Sequence, residues 1–111
     1  MRHPDVFVFT DANFGQEVLE SPKPVVVDFW SETCVPCRLQ EPTIARMAEE
    51  LRGQAKVGRL SVFENPAVLK EFQVKGVPHL MVIDKGEVVL ELVGDHSIEQ
   101  LRSHLRSVGL F

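Results

Sequence analysis

The chain has 111 residues, 44% apolar and 25% charged, with a formal net charge of −4. That length suits one domain, expected to span residues 1–111, with enough apolar material for a core that needs no metal or set of disulfides as staples. Lys and Arg are scattered rather than clustered, so the basic footprint of a nucleic-acid binder is absent, and no apolar run is long enough for a membrane-spanning helix. The opening "MRHPDVFVFTDANF" has no apolar stretch leading to a small-residue cleavage site, so a cytoplasmic protein is expected.

In chain order, "VFVFT" (Val6 to Thr10) reads as a short strand. Thr10 or Asp11 can then cap a helix with Phe14, Val18 and Leu19 on one face, ended by Ser21, Pro22 and Pro24. "VVVDF", beginning at Val25, is β-branched and apolar on both faces, as expected of a central strand covered on both sides. From about Cys34 to Leu51 the period turns helical, with Leu39, Ile44, Met47, Ala48 and Leu51 recurring, Pro42 as a kink and Gly53 as the stop. "KVGRLSV" predicts a second buried strand, and a short helix from Pro66 to Phe72 takes Asn65 as its cap.

"VPHLMVIDKGEVVLELVG" predicts a hairpin of His79 to Ile83 and Glu87 to Val93 around Asp84, Lys85 and Gly86. Ser97 opens the last helix, with Ile98, Leu101, Leu105 and Val108 as its buried stripe. The order β-α-β-α-β-α-β-β-α gives an α/β fold, a mixed sheet between two helical layers. The tail "SVGLF" is apolar and is expected to pack on the domain.

Cys34 and Cys37 lie where a strand ends and a helix begins. Residues three apart in a first helical turn face the same way, close enough for a disulfide, and Pro36 suits that turn. Cys34 faces free N–H groups and the positive end of the helix dipole, which favours its thiolate. This geometry makes Cys34 the attacking thiol and Cys37, deeper in the helix, the resolving one. A zinc site needs four ligands, and the histidines His3, His79, His96 and His104 lack ligand spacing. An iron–sulfur or zinc site shared across a dimer, or two cysteines incidental to a loop, are the remaining alternatives.

"VVVDFW", "CVPC", Pro42, "GVPHL", "KGE" and "LVG" occur in the order and at about the spacing of the thioredoxin pattern, and the chain resembles a thioredoxin over nearly its whole length. The resemblance implies a thioredoxin fold and a cis bond between Val77 and Pro78, whose backbone pairs with an extended substrate segment. It implies that Asp28 is a buried acid that accepts a proton when Cys37 attacks, and that Trp30 and Gly94 border the substrate groove along with Thr33, Val35 and Pro36. It further implies that no cofactor is bound beyond the redox-active disulfide, and that electrons come from an NADPH-dependent thioredoxin reductase and pass to disulfide-containing target proteins. A monomer is expected.

Five positions depart from the pattern. Thr33 replaces a tryptophan before the first cysteine, and Val35 replaces a glycine between them. Arg59 stands where a lysine is usual near the acid; being permanently charged and forked, it would hold Asp28 ionised more firmly if it reaches it. His79 replaces a threonine after the loop proline and is expected to pack on the sheet rather than face the cysteines. Asp95 adds a negative charge beside the groove. The leading function is reduction of protein disulfides by dithiol–disulfide exchange. An oxidase or isomerase of the same fold and a non-catalytic interaction module are the alternatives.

Overall fold

The computed structural model describes residues 3–111. Five strands, β1 (Val6–Phe9), β2 (Val25–Trp30), β3 (Lys56–Ser61), β4 (His79–Asp84) and β5 (Glu87–Val93), form one sheet in the order β1-β3-β2-β4-β5. The first three in that order run parallel, while β4 is antiparallel to both β2 and β5. The helices are α1 (Val35–Glu50), α2 (Pro66–Glu71) and α3 (Ile98–Arg106). The mixed sheet with helices on both faces is the expected α/β fold.

Strand alternation sorts the core into two layers. Val26, Val57, Leu80 and Val82 pack with Ile44 and Met47 of α1, with Leu51 just past its end, and with Leu101 and Leu105 of α3. Val25, Val27, Phe29, Leu60, Met81 and Ile83 pack on the other face with Phe14, Val18 and Val68. Asp28 follows Val26 in phase, so it points into the α1 face of the sheet instead of toward water.

Two expectations about caps are corrected. The segment after β1 forms a turn and then a π-helical turn at Gly15–Leu19, with no side-chain cap. Thr10 and Asn13 bond each other instead: Asn13 N donates to Thr10 Oγ1 at 3.1 Å and Thr10 N donates to Asn13 Oδ1 at 2.7 Å. Asp11 caps α2 from across the chain, its carboxylate accepting from Ala67 N (3.0 Å) and Val68 N (2.9 Å). Asn65 holds the cap position of α2 without capping it; its Oδ1 accepts from Asp11 N at 2.7 Å and its Nδ2 donates to Ser61 O at 2.9 Å. An ionised carboxylate matches the positive helix end better than a neutral amide does.

In α1 the buried positions are Cys37, Gln40, Ile44, Met47 and Ala48. Leu39, expected on that stripe, is 76% exposed. It lies five residues before Ile44, about 140° round the helix, whereas Gln40 lies four before and is in phase. Pro42 stands inside the helix, as expected.

The hairpin turns through Lys85 and Gly86 with φ of 52° and 82°, the left-handed pair that suits a two-residue hairpin and the right-handed twist of its strands. Ser97 caps α3 in a capping box with Gln100. Val108 lies beyond α3 but packs on the same core, and Leu110 is buried there.

Candidate active site

β2 ends at Trp30, and Ser31–Cys34 lead directly into α1. Cys34 is the N-cap of α1, extended at φ −89° and ψ 106°, and its Sγ accepts from Cys37 N at 3.2 Å. Pro36 follows within the first turn, where a missing N–H costs nothing. The two cysteines are joined as a disulfide, with their Cα atoms 5.3 Å apart. Cys37 is fully buried and Cys34 only partly so, the asymmetry expected from their places in the turn.

Behind Cys37 lies a buried ion pair. Asp28 and Arg59 are register partners on β2 and β3, so their side chains emerge side by side toward α1. Arg59 Nε donates to Asp28 Oδ2 at 2.8 Å, its Nη1 to Glu41 Oε2 at 2.7 Å, and its Nη2 to the Cys37 carbonyl at 3.2 Å. The guanidinium carbon lies 4.4 Å from the centroid of the Trp30 ring, a cation–π contact that fixes its plane. Asp28 Oδ1 is buried and has no hydrogen-bond partner among the described residues.

This environment pushes the Asp28 carboxyl up from its ordinary 3.8 to about 6. Burial is the largest cause; Arg59 opposes it by charge and hydrogen bond, and Glu41 adds to the rise by repulsion. Arg59 therefore reaches the acid, and desolvation still outweighs it. With one cation shared between two carboxylates, and one Asp28 oxygen given no protein donor among the described residues, the ionised form remains costly.

Val77 and Pro78 are joined by a cis peptide bond, and Pro78 is buried. His79 opens β4 opposite Phe29 of β2, which puts Val77–Pro78 at the end of the sheet where β2 delivers the cysteine loop. Gly94 N donates to the Pro78 carbonyl at 2.9 Å, tying the end of β5 to this loop. His79 packs edge-on against Phe29, with ring centroids 5.9 Å apart, and its Nε2 lies 2.9 Å from Glu91 Oε1. It is on the sheet face opposite Asp28, packed as expected and separated from the acid by the sheet. Asp95 is exposed in the same loop as Gly94.

Thr33 is exposed, with Oγ1 3.4 Å from Ser31 Oγ. Val35 is 60% exposed, and an open cleft of about 580 Å³ beside it is lined by Trp30, Glu32, Val35, Arg38, Leu39 and Glu41. Three contributors escape a reading of the sequence. Glu41 binds Arg59, Glu32 accepts from Ser61 Oγ at 2.8 Å, and buried Gln40 accepts from His96 N at 3.0 Å, anchoring the Gly94 loop to α1. Spacing carries a signal for two of them: Glu41 is one turn past Cys37, and Gln40 is a polar residue in apolar phase. Among the described residues no group of three or more His, Cys, Asp or Glu is placed to hold a metal ion. No described helix is long and apolar enough to cross a membrane.

The family model for thioredoxin matches residues 5–107. The chain belongs to the thioredoxin family. It is 39% identical over 88 residues to a thioredoxin of Chlorobaculum thiosulfatiphilum, covering 79% of this chain and 82% of that protein. It is 42% identical over 85 residues to thioredoxin 1 of Synechococcus elongatus, covering 77% and 79%. The same identity over 85 residues relates it to a bifunctional thioredoxin reductase/thioredoxin of Mycobacterium leprae, covering 77% of this chain and 19% of that longer protein. The thioredoxin-like chain is a thiol–disulfide oxidoreductase, a reductase of protein disulfides that works through the C-x-x-C pair. Membership of the family implies disulfide-bearing targets and a thioredoxin reductase as partners.

Proposed function

We propose the following division of labour within that activity. In the reduced protein the Cys34 thiolate, favoured by the N-terminus of α1, attacks one sulfur of a target disulfide. A Cys34–target bond forms and the other target sulfur leaves as a thiolate. Asp28 takes the proton of Cys37. The Cys37 thiolate then attacks Cys34 Sγ, the second target sulfur departs, and the Cys34–Cys37 disulfide results. Each departing thiolate takes a proton from solvent, and a reductase using NADPH returns two electrons.

The single observation that carries this reading is Asp28 Oδ1, a buried carboxylate oxygen with no protein donor among the described residues, on an acid whose Arg59 also binds the Cys37 carbonyl. A buried acid held at about 6 can accept a proton near neutral pH and release it again. Val77 and Pro78 act as the substrate platform, with Gly94, Trp30, Thr33, Val35 and Pro36 bordering the groove. Thr33 and Val35 limit how closely a target can approach and so select among partners. The protein works as a monomer in the cytoplasm.

Cys37→Ser tests the assignment. With a protein disulfide as substrate it should accumulate a mixed disulfide on Cys34 that dithiothreitol releases, and Cys34→Ser should form none. Mixed disulfides forming equally on Cys37 in a Cys34→Ser variant would overturn the roles. Failure of the wild type to reduce the substrate with NADPH and a thioredoxin reductase, while it oxidises reduced substrates, would favour the oxidase reading.

A further inference from the structure

Arg59 is one cation serving two carboxylates in different media. The Asp28 side chain is 1% exposed, whereas that of Glu41 is 48% exposed. A guanidinium does not lose its proton at any working pH, so it cannot pass one along. What it can do is divide its charge and its N–H groups between the two acids. Its orientation is fixed by Trp30 below it and by the Cys37 carbonyl, so the division is set by geometry and not by side-chain drift.

We propose that Glu41 is a positioning residue that governs the protonation of Asp28 from the surface, through Arg59. The inference rests on the reading of Asp28 as the proton acceptor. Glu41 lies one helical turn past Cys37 and immediately before Pro42, with Arg59 spanning from its carboxylate to the Cys37 carbonyl. The charged groups acting on Asp28 are Arg59 from β3 and Glu41 from α1, and the Cys37 carbonyl is held by the same guanidinium. A cleft of about 380 Å³ lined in part by Trp30, Glu41, Ile44, Arg59 and Ser61 brings solvent to the outer edge of the guanidinium. Charge at the wet end thus acts on the dry end. Glu41 pushes Asp28 in the same direction as burial and against Arg59. Glu32 borders the neighbouring cleft, but its carboxylate accepts from Ser61 and has no bond to Arg59.

Neutralising Glu41 removes a repulsive charge and leaves the whole of Arg59 to Asp28. Both effects hold the acid ionised to lower pH, by about half a pH unit or more for a charge relayed at a partly screened distance. The experiment is a carboxyl-carbon NMR titration of Asp28 in the oxidised full chain, comparing wild type, Glu41→Gln and Glu32→Gln. The expected result is a downward shift in Glu41→Gln and a clearly smaller one in Glu32→Gln. No shift or an upward shift in Glu41→Gln, or an equal one in Glu32→Gln, overturns the proposal.

The pH dependence of mixed-disulfide resolution separates this claim from the reading beneath it. If Asp28→Asn abolishes the acid limb while Glu41→Gln leaves the Asp28 titration unmoved, the surface link fails and the acceptor stands. If the titration moves but Asp28→Asn leaves the limb intact, the acceptor reading fails and the link stands.

Discussion

Asp28 and Arg59 stand opposite each other in register on two central parallel strands, joined at 2.8 Å, and the acid is still pushed up to about 6. An ion pair in a dry site is only as stabilising as its solvation by other dipoles. Here Arg59 also serves Glu41 and the Cys37 carbonyl, and no donor among the described residues reaches Asp28 Oδ1. The result is an acid that favours its neutral form without being locked into it.

Folding stability should therefore fall as pH rises across this group. The folded-state value lies above the unfolded one of 3.8, so between them the folded chain binds more protons than the unfolded chain. The stabilisation is fully present below about pH 4 and is lost as pH rises through about 6, on the order of 2–3 kcal/mol in all. Denaturant melts at a series of pH values should show wild type losing this amount relative to Asp28→Asn between pH 4 and 6.5, and a constant difference above that.

Asp11→Ala should destabilise the chain although the residue lies in a surface turn. It removes the acceptor for Ala67 N and Val68 N at the start of α2, a cap worth about 1 kcal/mol. Asp11→Asn, which keeps an acceptor, should recover part of the loss in thermal melts.

Gly58→Ala should also destabilise, for a steric reason. Gly58 sits on β3 beside β1, where an added Cβ would run into the Phe9 ring and come 2.8 Å from the Phe7 carbonyl oxygen. The ring can shift but the backbone oxygen belongs to the β1–β3 ladder, so overpacking of roughly 1–3 kcal/mol is expected. A lowered melting temperature with β1 amides exchanging faster would be the signature.

Most of the fold was legible because its signals are local. The β-branched run at Val25, the Lys85–Gly86 turn and the Ser97 cap each declare an element within a few residues. The helix at Val35–Glu50 was legible as a helix but mis-phased at Leu39, since apolar residues five apart do not share a face. The Asp11 cap was not legible, because it joins segments that only the β1–β3 pairing brings together. In the site, Cys34, Cys37 and Asp28 stood out from their sequence neighbours. Glu41 did not: an exposed glutamate on a helix gives no sign of its partner until Arg59 on β3 is placed beneath it.

The central claim is that Asp28 takes the proton of Cys37, and the most direct test is the rate of mixed-disulfide resolution against pH. A Cys34-linked adduct with a small disulfide would be followed by stopped-flow, using Trp30 fluorescence, in wild type and Asp28→Asn. The wild-type rate should fall as pH drops through about 6, where the acid becomes neutral. Asp28→Asn should lose roughly 100-fold at pH 7, with the limb near pH 6 gone. Equal rates and the same limb in both proteins would contradict it.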